Sequence, residues 1–179
     1  VAARFPIELP AQIRTVQVNI GSNIDPLLPP DDESVAVIVF EPMVACQISV
    51  RHPRLYVVPA AISGTDGFAS MEMHNPNGVS SSLAKPVASV QERMYENSTD
   101  SVPFTPMKLV PVLAMSTFLT SISPEVTIQY IKSDMQGFDY TALSSAGPLL
   151  RRVHYLMTEV YFAKTSTYEG TRNDFCTDM

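Results

Sequence analysis

The sequence has few of the residues that mark several large classes of protein. It has only two cysteines in 179 residues, Cys46 and Cys176, and no tryptophan. Neither cysteine belongs to a CxxC pair or stands near a histidine at ligand spacing, so neither a disulfide framework nor a metal site is predicted. The longest apolar stretch, VAVIVFEPMVAC, is interrupted by Glu41. It falls short of the roughly 18 residues that a membrane span requires, so no span is predicted in this segment.

Positive charge is also scarce. Twelve Lys and Arg residues stand against 18 Asp and Glu residues, for a net charge of -6, and the basic residues form no run. A nucleic-acid-binding surface requires the opposite pattern, so nucleic acid is not expected as a partner. With 45% apolar and 17% charged residues, the composition is that of a globular domain. We expect one domain over residues 1–179, with its core in 15–162 and a flexible Ser-, Pro- and Asn-rich loop at about 75–106.

The cellular compartment and the oligomeric state stay open. The chain begins at Val1 rather than Met, so an upstream signal or anchor could have been removed. The Asn97-Ser98-Thr99 sequon is usable only in a secretory lumen. The sequence therefore allows either the cytoplasm or the lumen of the secretory pathway.

Apolar, β-branched segments alternate with segments of helical character along the chain. Strands are predicted at 15–20, 35–41, 54–58, 67–74, 108–113, 126–132 and 155–162, and helices at 43–52, 116–123, 139–147 and 149–153. Asp25-Pro26 could start a helix that Pro29-Pro30 would end within about one turn, so we expect a short or irregular first crossover. Pro111 favours an edge position for its strand. The alternation predicts an α/β fold with a mostly parallel sheet in three layers.

Ligands of such sheets bind beyond the carboxyl ends of the strands, where the strand order reverses. Gly21, Ser22 and Asn23 follow the first predicted strand. Glu41 follows the second, 20 residues after Gly21, the spacing at which an acidic group binds ribose hydroxyls. The alternative for Glu41 is a solvent-facing carboxylate at a strand end.

Asp134 follows the strand at 126–132 and should reach the same edge of the sheet as Glu41. The alternative is an N-cap role, for which Ser133 and Asp139 are equal candidates.

His74 is a second candidate for acid–base chemistry, and its alternative is a surface imidazole at a turn. We expect His52 and His154 to be structural or exposed, Glu159 to lie within the last strand where it could face an acceptor, and Arg151-Arg152 to be a solvated helix end.

The segments VNIGSN, VIVFEP, VPAAIS, SSSL and IKSDMQGFD occur in this order. In this respect the chain resembles the FkbM-type S-adenosylmethionine-dependent methyltransferases over roughly residues 15–162, and its QGFD form is similar to a eukaryotic algal branch. The resemblance implies a Rossmann-like methyltransferase sandwich, here expected to lack part of the C-terminal hairpin. It also implies S-adenosyl-L-methionine as cofactor and methyl transfer, usually to an oxygen of a small molecule or carbohydrate.

The resemblance also assigns roles to residues. Asn19, Gly21, Ser22 and Asn23 would lie at the methionine part of the cofactor, Glu41 and Pro42 at the ribose, Ala60 and Ala61 at the adenine, and Asp134 near the reacting methyl. Asp134 and His74 are the catalytic candidates.

Two departures from the family pattern leave other functions open. Asn19 replaces the acidic residue of many relatives, and Asp25-Pro26 replaces the small residues that normally begin the first helix. An inactive binding or assembly module is therefore the alternative. A nicotinamide-dependent oxidoreductase ranks lower, since the Gly-rich helix start is missing.

Overall fold

The computed structural model describes residues 8–43, 47–71, 81–85 and 108–160. These residues form strands β1 (Thr15–Ile20), β2 (Val35–Phe40), β3 (Leu55–Val58), β4 (Ala61–Ser63), β5 (Gly67–Met71), β6 (Lys108–Ala114), β7 (Thr127–Ser133) and β8 (Val153–Thr158), helices α1 (Met115–Ser121) and α2 (Asp139–Ser144), and a 3-10 helix, Gly147–Arg152. His74, both cysteines, the sequon and most of the predicted loop at 75–106 lie outside the described residues.

Five strands form a parallel sheet in the order β3-β2-β1-β7-β8. The chain runs from β1 outward to β3 and then returns to place β7 on the other side of β1, so the strand order reverses between β1 and β7. Every residue of β2 is buried, as expected for a central strand covered on both faces. This arrangement confirms the predicted α/β class and puts a ligand site at the carboxyl ends of β1 and β7.

The two faces of the sheet are covered differently. On one face Ile20, Ile38 and Phe40 pack against residues of α1 and α2, and the rings of Phe40 and Phe118 meet edge to face with centroids 5.0 Å apart. On the other face Val37 and Val39 pack with Ile48, which lies in an irregular segment. Among the described residues the helices therefore cover one face, and irregular chain covers the other.

The crossover from β1 to β2 is irregular, as predicted, and no helix begins at Asp25-Pro26. Side chains of the sheet hold it in place. The Asn19 Oδ1 accepts a hydrogen bond of 2.8 Å from the Leu27 amide. Arg54, just before β3, donates to the carbonyls of Pro30, Asp32 and Val35. These bonds satisfy backbone groups of the crossover and of the first residue of β2.

Two predictions about the strands and helices are wrong. Residues 48–52 form no helix, because Ile48 is drawn into the cluster with Val37 and Val39 and Pro53 disfavours helical backbone just before it. Pro111 does not mark an edge strand. β6 is the central strand of a second sheet with the order β4-β6-β5, and the pairing with β4 begins only at Val112, so Pro111 needs no hydrogen bond on that side.

The other predicted elements that fall on described residues are present, with ends that differ by a few residues. Within the described residues, no helix is long and apolar enough to span a membrane.

Candidate functional site

A cleft opens at the carboxyl ends of β1, β2 and β7, beside β4. The described residues that line it are Ile20, Gly21, Asn23, Phe40, Glu41, Pro42, Met43, Ala61, Ile62, Met71, Ser81, Leu83, Asp134, Met135, Gln136 and Phe138. Small-molecule sites typically combine apolar walls with a few polar groups, and this cleft has both.

The turns after β1 and β7 are in direct backbone contact. The Asp134 amide donates to the Ile20 carbonyl at 3.1 Å. Gly21 has φ 71°, and an ideal Cβ on it would lie 2.0 Å from the Asp134 carbonyl oxygen. No side chain fits there, so glycine is required for the two strand ends to meet.

Glu41 joins the turns after β1 and β2. Its side chain is buried, with Oε2 accepting from the Asn23 amide and Oε1 from the Met43 amide, each at 2.8 Å. Asn23 has φ 51°, a left-handed conformation that asparagine tolerates better than most residues. Glu41 is thus a buried carboxylate whose direction is fixed by two amides, and the solvent-facing alternative is wrong.

Asp134 faces the same cleft as Glu41, as the strand topology predicts. Gln136 donates through Nε2 to Asp134 Oδ1 at 2.6 Å and to Glu159 Oε2 at 3.4 Å. Asp134 does not cap α2: the N-cap position is Phe138, without a side-chain hydrogen bond. Glu159 lies just after β8 and is exposed, which corrects its predicted position within the strand.

Asp139 supports the turn that carries Asp134. Its buried carboxylate accepts from Ser133 Oγ at 2.5 Å, from Thr158 Oγ1 at 3.2 Å and from the Met135 amide. Burial raises the pKa of Asp139, and the bonds from Ser133, Met135 and Thr158 oppose this shift. Asp139 therefore ties the ends of β7 and β8 to the start of α2.

A serine-containing segment, 81–85, closes another side of the cleft. The Ser82 Oγ lies 2.7 Å from the Gln136 carbonyl oxygen and 3.2 Å from that of Met135, and it accepts from the Ala84 amide at 2.9 Å. Leu83 packs against the cluster that contains Met43, Ala61 and Met71. The segment thus connects the turn after β7 with the second sheet.

The profile of the Methyltransferase FkbM domain matches residues 19–175, which includes every strand that forms the cleft except the first residues of β1. The chain belongs to the FkbM methyltransferase family. Comparisons with curated proteins and with solved structures gave no match. The family's reaction is methyl transfer, so membership favours an enzyme over an inactive module. The match gives no support for the eukaryotic algal branch suggested by the QGFD form.

Three residues assigned to the cofactor by resemblance to the FkbM family do not line the cleft. Asn19 is buried on the face of the sheet opposite to the helices, where its Oδ1 accepts from the Leu27 amide. Ser22 donates to the neighbouring Asn23 carbonyl, and Ala60 is packed in the main core. The structure brings together Gly21, Asn23, Glu41, Pro42, Ala61 and Asp134, while His74 lies outside the described residues.

Sequence reasoning missed the contributions of Asp139, Ser81 and Ser82 to the FkbM cleft. Asp139 and the serines do stand in motifs of the family resemblance. The bond that Asp139 accepts from Thr158 and the bonds of Ser82 to the Met135 and Gln136 carbonyls join residues far apart in the chain, so they have no local signal. His154 is exposed on β8 and His52 accepts from the Arg54 amide, as expected. Arg152 is not simply solvated, because its guanidinium donates to the Leu119, Ile122 and Ser123 carbonyls at the end of α1.

Proposed function

We propose that this protein transfers the methyl group of S-adenosylmethionine to a hydroxyl oxygen of a small molecule or carbohydrate. The observation that carries the proposal is a single cleft, at the reversal of strand order, that contains the carboxylates of Glu41 and Asp134 and an apolar wall. Membership of the FkbM family supplies the reaction class. The cofactor and the acceptor are the parts that we propose.

Glu41 suits the ribose of this cofactor. A carboxylate has about four acceptor positions and can take hydrogen bonds from more than two donors at once. The amides of Asn23 and Met43 fix its direction at the carboxyl end of β2. Ribose hydroxyls are the groups that an acidic residue at this point of an α/β sheet typically binds.

The remaining walls suit the adenine ring and the charged end of the cofactor. Met43, Ala61 and Leu83 offer apolar contacts for a flat ring, and the carboxylate of Asp134 favours a nearby positive charge. Bound S-adenosylmethionine would supply an activated methyl group on a positively charged sulfur. The described residues of the cleft are thus compatible with S-adenosylmethionine.

The protein's own part in the reaction is to align the acceptor and to remove its proton. Holding a hydroxyl oxygen in line with the methyl carbon converts an encounter of two molecules into a reaction within one complex. In this proposal Asp134 accepts the hydroxyl proton, supported by its position in the cleft and by the Gln136 amide that donates to its Oδ1 and orients the carboxylate. General-base catalysis of this kind typically contributes about 10²- to 10⁴-fold.

Calorimetric titration with S-adenosylhomocysteine tests the cofactor. We expect saturable binding by the wild-type protein, at least about tenfold weaker binding by Glu41→Ala, since hydrogen bonds to charged groups contribute about 1.5–3 kcal/mol, and weaker binding by Asp134→Ala. Glu125→Ala is the matched control, because Glu125 is exposed and outside the cleft. NAD is the control ligand. Lack of binding by folded wild-type protein, or binding of NAD instead, would contradict the proposal.

A methyl-transfer assay tests the acceptor class. Methyl-labelled S-adenosylmethionine is incubated with panels of sugars, small alcohols, amines and carboxylic acids. A hydroxyl acceptor gives a methyl ether, which resists mild base, whereas a carboxylate gives a methyl ester, which base removes. Label recovered only in base-labile or amine products would overturn the hydroxyl assignment and leave the cofactor assignment intact.

A further inference from the structure

Ser81 is a buried polar residue on the wall of the cleft. Its side chain is 7% exposed, and its hydroxyl has no hydrogen-bond partner in the described part of the chain. Nearly all buried polar groups in proteins are paired, and an unpaired one destabilises the protein that carries it. A hydroxyl kept in this state at the edge of a ligand cleft calls for a partner that arrives with the ligand.

The position of Ser81 is fixed by its neighbours. Ser82 bonds to the turn that follows Asp134, and Leu83 packs into the cluster around Met43 and Ala61. These contacts hold the backbone of the segment that carries Ser81. Ser81 is thus held in the wall that a ligand would contact.

The residues that share the cleft with Ser81 indicate which part of a ligand its hydroxyl would meet. A hydroxyl both donates and accepts hydrogen bonds, and the apolar side chains of Leu83, Met43 and Ala61, which line the same cleft, suit a flat ring. Adenine combines apolar faces with an edge of alternating donors and acceptors. We infer that the Ser81 hydroxyl binds the polar edge of the adenine ring of the cofactor, an inference that rests on the proposed function.

Two properties of Ser81→Ala should move in opposite directions. Affinity for S-adenosylhomocysteine should fall by about 3- to 10-fold, the range of one net hydrogen bond. The ligand-free protein should unfold at the same urea concentration as wild type or a higher one, because the variant removes an unpaired buried hydroxyl. A merely structural serine would lower stability and leave affinity unchanged.

An altered ligand tests the contact with the purine edge. S-inosylhomocysteine replaces the amino group of adenine with a carbonyl oxygen and leaves the rest of the molecule unchanged. The wild-type protein should distinguish the two ligands more strongly than Ser81→Ala does, because part of that discrimination comes from the hydroxyl. Equal discrimination by both proteins would overturn the inference.

Ser145→Ala is the matched control. Its hydroxyl lies 2.7 Å from the Ala142 carbonyl oxygen and accepts from the Met115 amide at 3.1 Å, away from the cleft. This variant should lose stability and keep its affinity. Unchanged affinity in Ser81→Ala, with wild-type protein binding normally, would overturn the inference alone. Lack of binding by wild type would overturn the proposed function and the inference with it.

Discussion

Gly21 approaches the backbone carbonyl of Asp134 so closely that an ideal Cβ would lie 2.0 Å from the oxygen. The contact joins the ends of β1 and β7, where the strand order of the sheet reverses. Gly21 follows Ile20 and Asp134 follows Ser133, so both turns begin directly at their strands. The cleft therefore depends on a backbone approach that only glycine permits.

Gly21→Ala should destabilise the protein by about 2–5 kcal/mol. A left-handed conformation costs a residue with a Cβ about 1–2 kcal/mol, and displacing a packed neighbour adds about 1–3 kcal/mol. Urea denaturation followed by circular dichroism measures the change. Binding of S-adenosylhomocysteine should also weaken, because the Asp134 turn must move.

Gly147→Ala is the control for the Gly21 variant. Gly147 also has a positive φ, of 52°, but an added Cβ would meet nothing within 4 Å. It should show only the conformational part of the loss, about 1–2 kcal/mol. Equal losses in the two variants would show that the contact with Asp134 is not the constraint on Gly21.

Asn19→Ala should lower stability by about 1–3 kcal/mol, because it leaves the Leu27 amide without the acceptor that it has now. Because Asn19 faces away from the cleft, the affinity for S-adenosylhomocysteine should change by less than about twofold, far less than a tenfold change, which corresponds to about 1.4 kcal/mol. Urea denaturation and calorimetry measure the two effects. Normal stability with lost binding would instead support the role implied by the family resemblance.

Local sequence patterns were sufficient to predict the strands of the central sheet and their parallel arrangement. The run VAVIVF has no polar residue, which predicts a buried strand with Glu41 at its end. The same logic placed Asp134 after β7. Because parallel strands end at one edge of the sheet, the meeting of Glu41 and Asp134 in one cleft followed without any knowledge of side-chain contacts.

Long-range pairing was not predictable in the same way. Pro111 has the local character of an edge residue, but β6 is central because β4 and β5 pair with it from distant parts of the chain. Successive residues of a strand point to opposite faces of the sheet, so Asn19 and Val18 lie on different faces. The sequence did not show which of these faces the helices cover, so the face of Asn19 could not be predicted. The bond that Asp139 accepts from Thr158 and the bonds of Ser82 to the Met135 and Gln136 carbonyls likewise join distant elements.

Asp134→Asn should reduce kcat by about 10²- to 10⁴-fold if Asp134 accepts the acceptor's proton. Affinity for S-adenosylhomocysteine should change much less than the rate, because the shape of the side chain is kept. Single-turnover methyl transfer with an acceptor found in the screen measures the rate. An unchanged kcat would exclude Asp134 as the base.

Gln136→Ala separates orientation from proton transfer. It removes the Nε2 donor that lies 2.6 Å from Asp134 Oδ1 and leaves the carboxylate in place. We expect a smaller loss of kcat than in Asp134→Asn. A loss as large as that of Asp134→Asn would mean that the amide itself takes part in placing the acceptor.

Asp139→Asn should change the pH dependence of stability in a defined direction. Burial raises the pKa of Asp139 in the folded protein, so the folded state holds this proton more tightly than the unfolded state, whose pKa is about 3.9. The resulting stabilisation is fully present below the unfolded value and is lost as pH rises through the folded value. Asparagine does not titrate.

Urea denaturation from about pH 3 to about pH 7 should therefore show the stability of wild type falling relative to that of Asp139→Asn as pH rises from the unfolded pKa. A relative stability that instead rises with pH would mean that the bonds from Ser133, Met135 and Thr158 outweigh burial and hold the carboxylate in its charged form.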